Sequence, residues 1–143
     1  VKEVGQGLGP KSLSSLAKLD IKGIEFGAYG GTNFSRLELL RSDARQSLAP
    51  LSYVGHTAEE MIKNINNLEG FKDKEIILSG GIENFLDAHY LLLKSNSKSM
   101  YGMAGKILRE LSRGQNYLKQ FIEHELSGLN FARSYLTLKD TDK

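Results

Sequence analysis

The sequence predicts an α/β fold with a parallel sheet, and two observations predict it. Short β-prone runs alternate with helical patterns along the 143 residues, in the order β-α-β-loop-α-β-α-β-α. Such alternation requires right-handed crossover connections, which make the strands parallel. In addition, ten of the fifteen glycines lie near or just after the C-terminal ends of the four predicted strands, where parallel α/β proteins bind ligands. These glycines are Gly5, Gly7, Gly9, Gly27, Gly30, Gly31, Gly80, Gly81, Gly102 and Gly105.

The N-terminal part predicts a strand, a helix and a second strand. Residues 1–4 form a β-prone run that ends at Gly5. Pro10 is typical of a first helical position, and regularly spaced leucines then form the apolar stripe of a helix over residues 12–19. The second strand is expected over residues 21–28.

A long loop with one helical turn is predicted over residues 35–55, which are rich in arginine and serine. Loops of that length in compact domains are functional lids or disordered segments. Arg36, Arg41 and Arg45 are candidates for contact with an anionic substrate, although a solvated loop surface is the default interpretation.

The rest of the chain indicates its helices and strands more clearly. Thr57 and Glu60 fit a capping box that opens an amphipathic helix. Two further strands are predicted over residues 75–78 and 99–103, and each ends among glycines. The remaining helices are expected over residues 83–94, 105–112, 115–126 and 129–137.

The number of βα units predicts a partial domain. Four units make half of a (β/α)₈ TIM barrel, whose usual length is about 250 residues, so residues 1–143 are expected to form a half-barrel. A half-barrel leaves two parallel edges unpaired and a row of inward side chains uncovered. We therefore expect a partner, either the missing first half of the barrel or a second copy in a homo-oligomer. A chain that opens directly in a strand, without an initiator methionine, also suggests a piece of something longer.

Composition excludes several classes of function. The absence of cysteine excludes a disulfide scaffold, a cysteine nucleophile and a thiolate metal site. With 19 basic and 17 acidic residues, the net charge of +2 gives no electrostatic indication of nucleic-acid binding. No run approaches about 18 consecutive apolar residues and no signal peptide is present, so we expect a cytoplasmic protein that is not in a membrane. No catalytic residue and no metal site can be assigned from motifs.

Two successive strand ends predict a phosphate cradle. The segment SGGI at residues 79–82 precedes one helix, and GMAG at residues 102–105 precedes the next. A helix N-terminus supplies free backbone N–H groups and the positive end of the helix dipole, and glycine allows close backbone approach. The alternative is that both segments are tight βα turns and nothing more.

Two side chains are further candidates for ligand contact. Thr32 follows the glycines of a third glycine turn, and its hydroxyl could donate to a phosphate or a ribityl hydroxyl, or else cap the following segment. Lys2 lies in a predicted strand, where a cation is unusual unless it is paired or meets an anion.

The segments VKEVGQGLG, GGTNF and SGGIENFLDA, in this order and at these spacings, resemble the C-terminal half of type 2 isopentenyl diphosphate isomerases. These flavoproteins interconvert isopentenyl and dimethylallyl diphosphate in isoprenoid biosynthesis. The resemblance implies a TIM barrel that binds FMN at the C-terminal ends of its strands. It also implies a diphosphate substrate, Mg²⁺ on that diphosphate, and NADPH as the source of reduced FMN.

The resemblance also implies roles for individual residues. Lys2 would face the pyrimidine edge of the flavin, and Thr32 would hydrogen-bond the ribityl phosphate arm. The phosphate would be held by the two glycine turns, through Gly80, Gly81, Ile82, Met103 and Ala104. In the family, the first half of the barrel carries a Gln-Glu pair that serves the substrate double bond and the magnesium, and it carries many of the cationic groups that bind substrate. The chain would therefore carry the FMN-phosphate half of the site and be inactive alone.

Two alternative functions remain open at this point. One is another FMN-binding TIM-barrel oxidoreductase of the α-hydroxy-acid oxidase type. That family normally has an aspartate before the glycine pair and an arginine soon after it, where this sequence has Ser79 and Glu83. The other is a non-catalytic, self-associating half-barrel that binds a phosphate ligand or nothing.

Overall fold

A computed structural model of the chain describes residues 1–43 and 45–139. Residue 44 of the predicted loop, the side chains of Arg45 and Gln46, and residues 140–143 lie outside this description. Within it the strands are β1 (Gly23–Glu25), β2 (Glu75–Ser79) and β3 (Lys98–Gly102). The helices are α1 (Pro10–Ala17), α2 (Phe34–Arg41), α3 (Arg45–Leu48), α4 (Ala58–Asn66), α5 (Phe85–Lys94), α6 (Ala104–Arg113) and α7 (Gln115–Tyr135).

The sheet is parallel, as predicted, and its strands lie in chain order, β1-β2-β3. In a doubly wound sheet the strand order reverses at a switch point. No reversal occurs among the described strands, because each crossover moves one strand further in the same direction. This arrangement is compatible with half of a barrel.

The first of the four predicted strands is not a strand in the structure. Residues 1–4 lie beside β1 and contribute one isolated parallel bridge, between Lys2 and Glu25. The backbone N–H of Glu3 donates to the carbonyl of Glu25 at 3.1 Å. The chain then turns away at Gly5, whose φ is 130°, so the run ends before a ladder can form. The described residues therefore contain three strands and a bridge instead of four βα units.

The sheet has one buried face and one open face. Side chains alternate along each strand, and Ile24, Phe26, Ile76 and Leu78 all point into the core formed with helices α1, α4 and α5. The opposite face carries the intervening residues, including Met100, which is 48% exposed. Parallel sheets are usually covered on both faces, so this open face is the main departure from an ordinary α/β domain.

The capping box at α4 is confirmed. The Thr57 hydroxyl accepts from the backbone N–H of Glu60, and the Glu60 carboxylate accepts from the backbone N–H of Thr57. This closed pair of hydrogen bonds fixes the start of the helix whose apolar face supplies much of the core.

The predicted loop over residues 35–55 is largely helical, which corrects the prediction. It holds most of α2, all of α3 and a 3₁₀ turn at Ala49–Tyr53. The Asn33 side chain caps α2 by accepting from the backbone N–H of Arg36 at 2.9 Å, and it donates to the Ser52 carbonyl at 2.6 Å. No residue of α2 is buried, and its apolar residues are spread around the helix. Its sequence therefore lacks the apolar stripe that would have predicted a helix.

The predicted helix break between residues 126 and 129 is also wrong. Helix α7 runs without interruption through Gly128. A Cβ at that glycine would lie only 2.5 Å from the Phe85 ring. Glycine therefore serves there to let α7 approach α5 closely, and the helix tolerates it because packing outweighs its lower propensity.

Candidate functional site

An open cleft of about 640 Å³ lies at the C-terminal ends of the strands. Its volume falls in the range of about 300–1,000 Å³ that is usual for ligand pockets. The backbone turns after β1, β2 and β3 form its walls, together with residues 2–5. The seven residues predicted to bind a cofactor all line it: Lys2, Thr32, Gly80, Gly81, Ile82, Met103 and Ala104.

The first glycine-rich turn, at residues 5–9, is occupied by the protein itself. One oxygen of the Glu3 carboxylate accepts from the backbone N–H groups of Gly5, Gln6 and Gly7 at 2.6, 2.8 and 2.8 Å. Burial raises the pKa of Glu3, but these amide hydrogen bonds outweigh it and leave the pKa below its ordinary value. This turn therefore binds an internal carboxylate through its first three amides, which are not free to bind a phosphate.

The glycine pairs after β1 and β2 pack against each other. Gly80 has φ of 91°, and a Cβ there would lie 2.0 Å from the carbonyl oxygen of Ala28. A Cβ at Gly30 would lie 2.8 Å from the Cα of Gly81. At these positions glycine is required by backbone packing, which brings the two turns into direct contact and forms one continuous floor for the cleft.

Thr32 faces the cleft with a free hydroxyl. The cap of α2 is Asn33, so the capping role that the sequence left open for Thr32 is already filled. The Thr32 side chain is exposed, and its hydroxyl has no hydrogen-bond partner among the residues that the structure describes. It is available to a ligand.

The start of α5 is closed by its own side chains. The Asn84 side chain accepts from the backbone N–H groups of Leu86 and Asp87 at 2.8 and 3.2 Å. The Asp87 carboxylate accepts from the N–H of Glu83 at 2.9 Å and places a negative charge in the first turn. An anion at this helix start would have to displace these acceptors and would meet two carboxylates.

The start of α6 is open. Its N-cap residue, Met103, provides no side-chain acceptor, and no acidic residue lies in the first turn. In the described part of the chain, no acceptor binds the first three N–H groups of this helix. A Cβ at Gly102 or Gly105 would meet no atom within 4 Å, so both glycines border empty space. Of the two helix starts beside the cleft, this one keeps its first N–H groups free among the described residues.

Lys2 is paired across the sheet edge with Glu25, a residue that sequence reasoning missed. Glu25 also accepts from the Ser79 hydroxyl at 3.1 Å, and Ser79 accepts from the Gly27 N–H at 3.1 Å. This chain of polar contacts joins residues 2, 25, 27 and 79 across three neighbouring segments. The Lys2 side chain stays 61% exposed, so it still presents its charge to the cleft. Glu25 can be identified as the partner of Lys2 only from the strand register, which cannot be derived from the sequence.

Three further charged residues line the same wall. Lys106 lies 3.7 Å from Glu83, across the gap between the starts of α5 and α6. Arg109 follows Lys106 by three residues on α6, and its side chain has no ion-pair partner among the described residues. Sequence reasoning missed these residues as well, although their spacing places both cations on one face of the helix.

Of the arginines predicted to meet an anionic substrate, Arg36 and Arg41 do not line this cleft. Arg36 lines a smaller groove of about 420 Å³ on the other side of the Gly30–Gly31 turn. Arg41 pairs with Glu38 at 3.1 Å on the exposed surface of α2. The Arg45 side chain lies outside the described residues.

Within the described residues, no group of three histidine, aspartate or glutamate side chains could hold a metal ion. In the same part of the chain, no helix combines the length and the apolar character needed to cross a membrane.

Comparison with known proteins relates the chain to one enzyme name. No protein-family model matches it. It is 35% identical over 126 residues to the isopentenyl-diphosphate delta-isomerase of Bacillus licheniformis, a match that covers 86% of this chain and 34% of that protein. It is 29% identical over 150 residues to the isopentenyl-diphosphate delta-isomerase of Rickettsia prowazekii, covering 100% of this chain and 42% of that protein. A third relative of the same name, from Bacillus pumilus, is 30% identical over 114 residues.

The chain thus spans between a third and about two fifths of the length of the first two relatives, 34% and 42%. All three of these relatives carry the name isopentenyl-diphosphate delta-isomerase.

Proposed function

We propose that this chain is the C-terminal half of an FMN-dependent, type 2 isopentenyl-diphosphate delta-isomerase. In this proposal the complete protein interconverts isopentenyl and dimethylallyl diphosphate, and the chain supplies the wall that holds the flavin phosphate. The observation that carries the proposal is the convergence of all seven predicted ligand residues on one cleft at the strand ends. The similarity to proteins named isopentenyl-diphosphate delta-isomerase supports it independently.

The donors around the cleft fit the groups of FMN. The open start of α6 offers backbone N–H groups to a phosphate, and the neighbouring glycines leave space for it. The free hydroxyl of Thr32 suits the ribityl arm, and the exposed ammonium of Lys2 suits the electron-rich edge of a reduced flavin ring. When bound, FMN would supply a reduced ring system for proton exchange at the allylic carbons, and NADPH would keep it reduced.

The missing parts of the site belong, in this proposal, to the first half of the barrel. The open face of the sheet needs a cover, and relatives with the same name contain more than twice the matched length. We therefore propose that the other four βα units pack on this face and bring the groups that bind Mg²⁺ and the substrate diphosphate.

The test is a reconstitution. The chain is titrated with FMN, alone and together with the unmatched N-terminal portion of the Bacillus licheniformis enzyme. Isomerisation is then assayed with NADPH and Mg²⁺. We expect weak flavin binding and no turnover from the chain alone, and turnover from the mixture. Flavin binding to neither sample would contradict the proposal. Self-association of the chain with no gain from the N-terminal portion would favour a second copy as the cover.

A matched pair of variants tests the role of Lys2. The ion pairs Lys2–Glu25 and Lys98–Glu75 both cross neighbouring segments on the open face, but Lys98 does not line the cleft. We expect Lys2→Met to weaken binding of reduced FMN by about tenfold or more, as for loss of one charge-assisted contact. Lys98→Met should leave it unchanged. Equal effects of the two substitutions would remove Lys2 from the flavin site.

A further inference from the structure

The charges that line the cleft sum to zero. Three cations and three carboxylates contribute to its walls. They are Lys2, Lys106 and Arg109, and Glu3, Glu25 and Glu83. A cleft with no net charge does not attract a doubly charged phosphate by its overall field. Selectivity for such a group must therefore come from how the individual charges are paired.

Five of the six charges already have internal partners. Glu3 accepts three backbone N–H groups, Lys2 pairs with Glu25, and Lys106 lies 3.7 Å from Glu83. Arg109 is the exception, because its guanidinium has no ion-pair partner in the described part of the chain. It is the one lining cation whose charge no described carboxylate offsets.

We propose that Arg109 is the residue that makes the cleft select ligands ending in a phosphate monoester, and that Glu83 limits how tightly they are held. A guanidinium can donate two parallel hydrogen bonds to a phosphate, which a neutral ligand tail cannot accept with the same strength. Arg109 projects from α6, the helix whose first N–H groups are open, so both kinds of donor serve the same wall. This inference rests on the proposed function for the identity of the ligand.

Glu83 acts in the opposite sense. Its side chain is 65% exposed at the mouth of the cleft, and its only described ion pair is the long one to Lys106. A phosphate that approaches α6 must compete with this carboxylate for Lys106 and is repelled by it. Removing the charge of Glu83 frees Lys106 and removes the repulsion, so the affinity for a phosphate should rise.

The experiment compares three ligands on the 143-residue chain: FMN, riboflavin, which lacks the phosphate, and inorganic phosphate. The variants are Arg109→Gln and Glu83→Gln, with Arg113→Gln as the matched control. Arg113 lies on the same helix, pairs with Glu110 at 2.6 Å and does not line the cleft. Flavin binding is followed by fluorescence quenching and phosphate binding by amide chemical shifts, after circular dichroism has shown that each variant is folded.

We expect Arg109→Gln to weaken the binding of FMN and of inorganic phosphate by about tenfold, as for loss of one charge-assisted pair. The affinity for riboflavin should stay unchanged. Glu83→Gln should tighten both phosphate-bearing ligands by about threefold or more. Arg113→Gln should change nothing. Phosphate binding that depends on Arg109, with no flavin binding by the chain either alone or together with the N-terminal portion, would refute the proposed function and support this inference. The inference about Arg109 would be overturned by equal losses of phosphate affinity in Arg109→Gln and Arg113→Gln. A loss of riboflavin affinity together with FMN affinity, or no phosphate binding by the unmodified chain, would also overturn it.

Discussion

The two βα turns at residues 79–84 and 102–105 occupy equivalent positions at neighbouring strand ends, yet they are built for different tasks. The first turn is closed, because Asn84 and Asp87 bind the amides of the following helix. Its glycines touch the backbone of the turn after β1. The second turn is open, since no described side chain caps its helix and its glycines border empty space.

This difference shows that a glycine at the C-terminal end of a parallel strand can have two distinct physical roles. At Gly80 the missing side chain makes room for the protein's own backbone, 2.0 Å from where a Cβ would lie. At Gly102 no atom of the described chain fills the space of the missing side chain, so that space is available to a ligand. In both cases the sequence shows only a glycine at or just after the C-terminal end of a strand.

Alanine substitutions at these two glycines should show the difference between the two turns most clearly. In Gly80→Ala the new Cβ overlaps the Ala28 carbonyl, and the backbone φ of 91° is one that alanine adopts only with strain. We expect a loss of about 2–4 kcal/mol in the free energy of unfolding. Urea denaturation followed by circular dichroism measures it.

Gly102→Ala is the matched control. It makes the same chemical change at the equivalent strand end, where nothing lies within 4 Å. The free energy of unfolding should stay within about 0.5 kcal/mol of the unmodified value. Similar losses at both positions would show that the second turn is packed as tightly as the first.

The part of the fold set by local chemistry could be predicted from the sequence. The parallel sheet follows from the alternation of strands and helices, and the capping box at Thr57 follows from residue types at fixed spacing. The position of the cleft followed from the glycines at the strand ends, because parallel strands bring those ends together. The assignment of its seven residues to FMN stays a prediction.

The part set by long-range packing could not be predicted. Nothing local shows that Phe85 fills the space beside Gly128, so a break was predicted where α7 is continuous. Helix α2 has no buried face to give it a periodic signal. The pairing of Lys2 with Glu25 depends on strand register, and the closure of one turn but not the other depends on which side chains fold back onto it.

Removing the cap of the closed turn should have an intermediate effect. Asn84→Ala leaves two backbone N–H groups of α5 without their acceptor. We expect the free energy of unfolding to fall by about 1 kcal/mol, within the usual range for loss of an N-cap. Asn64→Ala in the interior of α4 is the control and should be neutral or slightly stabilising, because alanine is the better helix former there. A neutral Asn84→Ala would mean that Asp87 alone closes the turn.

The smallest effect concerns the turn at residues 5–7, which is closed by Glu3. Because the pKa of Glu3 is lower in the folded protein than its ordinary value near 4.3, its carboxylate stabilises the fold above that value. The stabilisation is lost as the pH falls from about 5 through the folded pKa, since the protonated form accepts amide hydrogen bonds more weakly. Glu3→Gln should therefore lower stability at pH 7 by about 1 kcal/mol or less and converge with the unmodified chain in acid.

Urea midpoints of both proteins, measured between pH 7 and pH 3, separate this effect from that of other carboxylates. Glu59, Glu60 and Glu75 also have lowered pKa values, but they titrate in both proteins and cancel in the difference. Glu69→Gln is the control, because that side chain is 92% exposed and its ion pair to Lys72 contributes little. A stability difference that stays constant with pH would show that Glu3 acts through its shape and not its charge. The turn at residues 5–7 would then be closed by backbone packing, in the manner of Gly80.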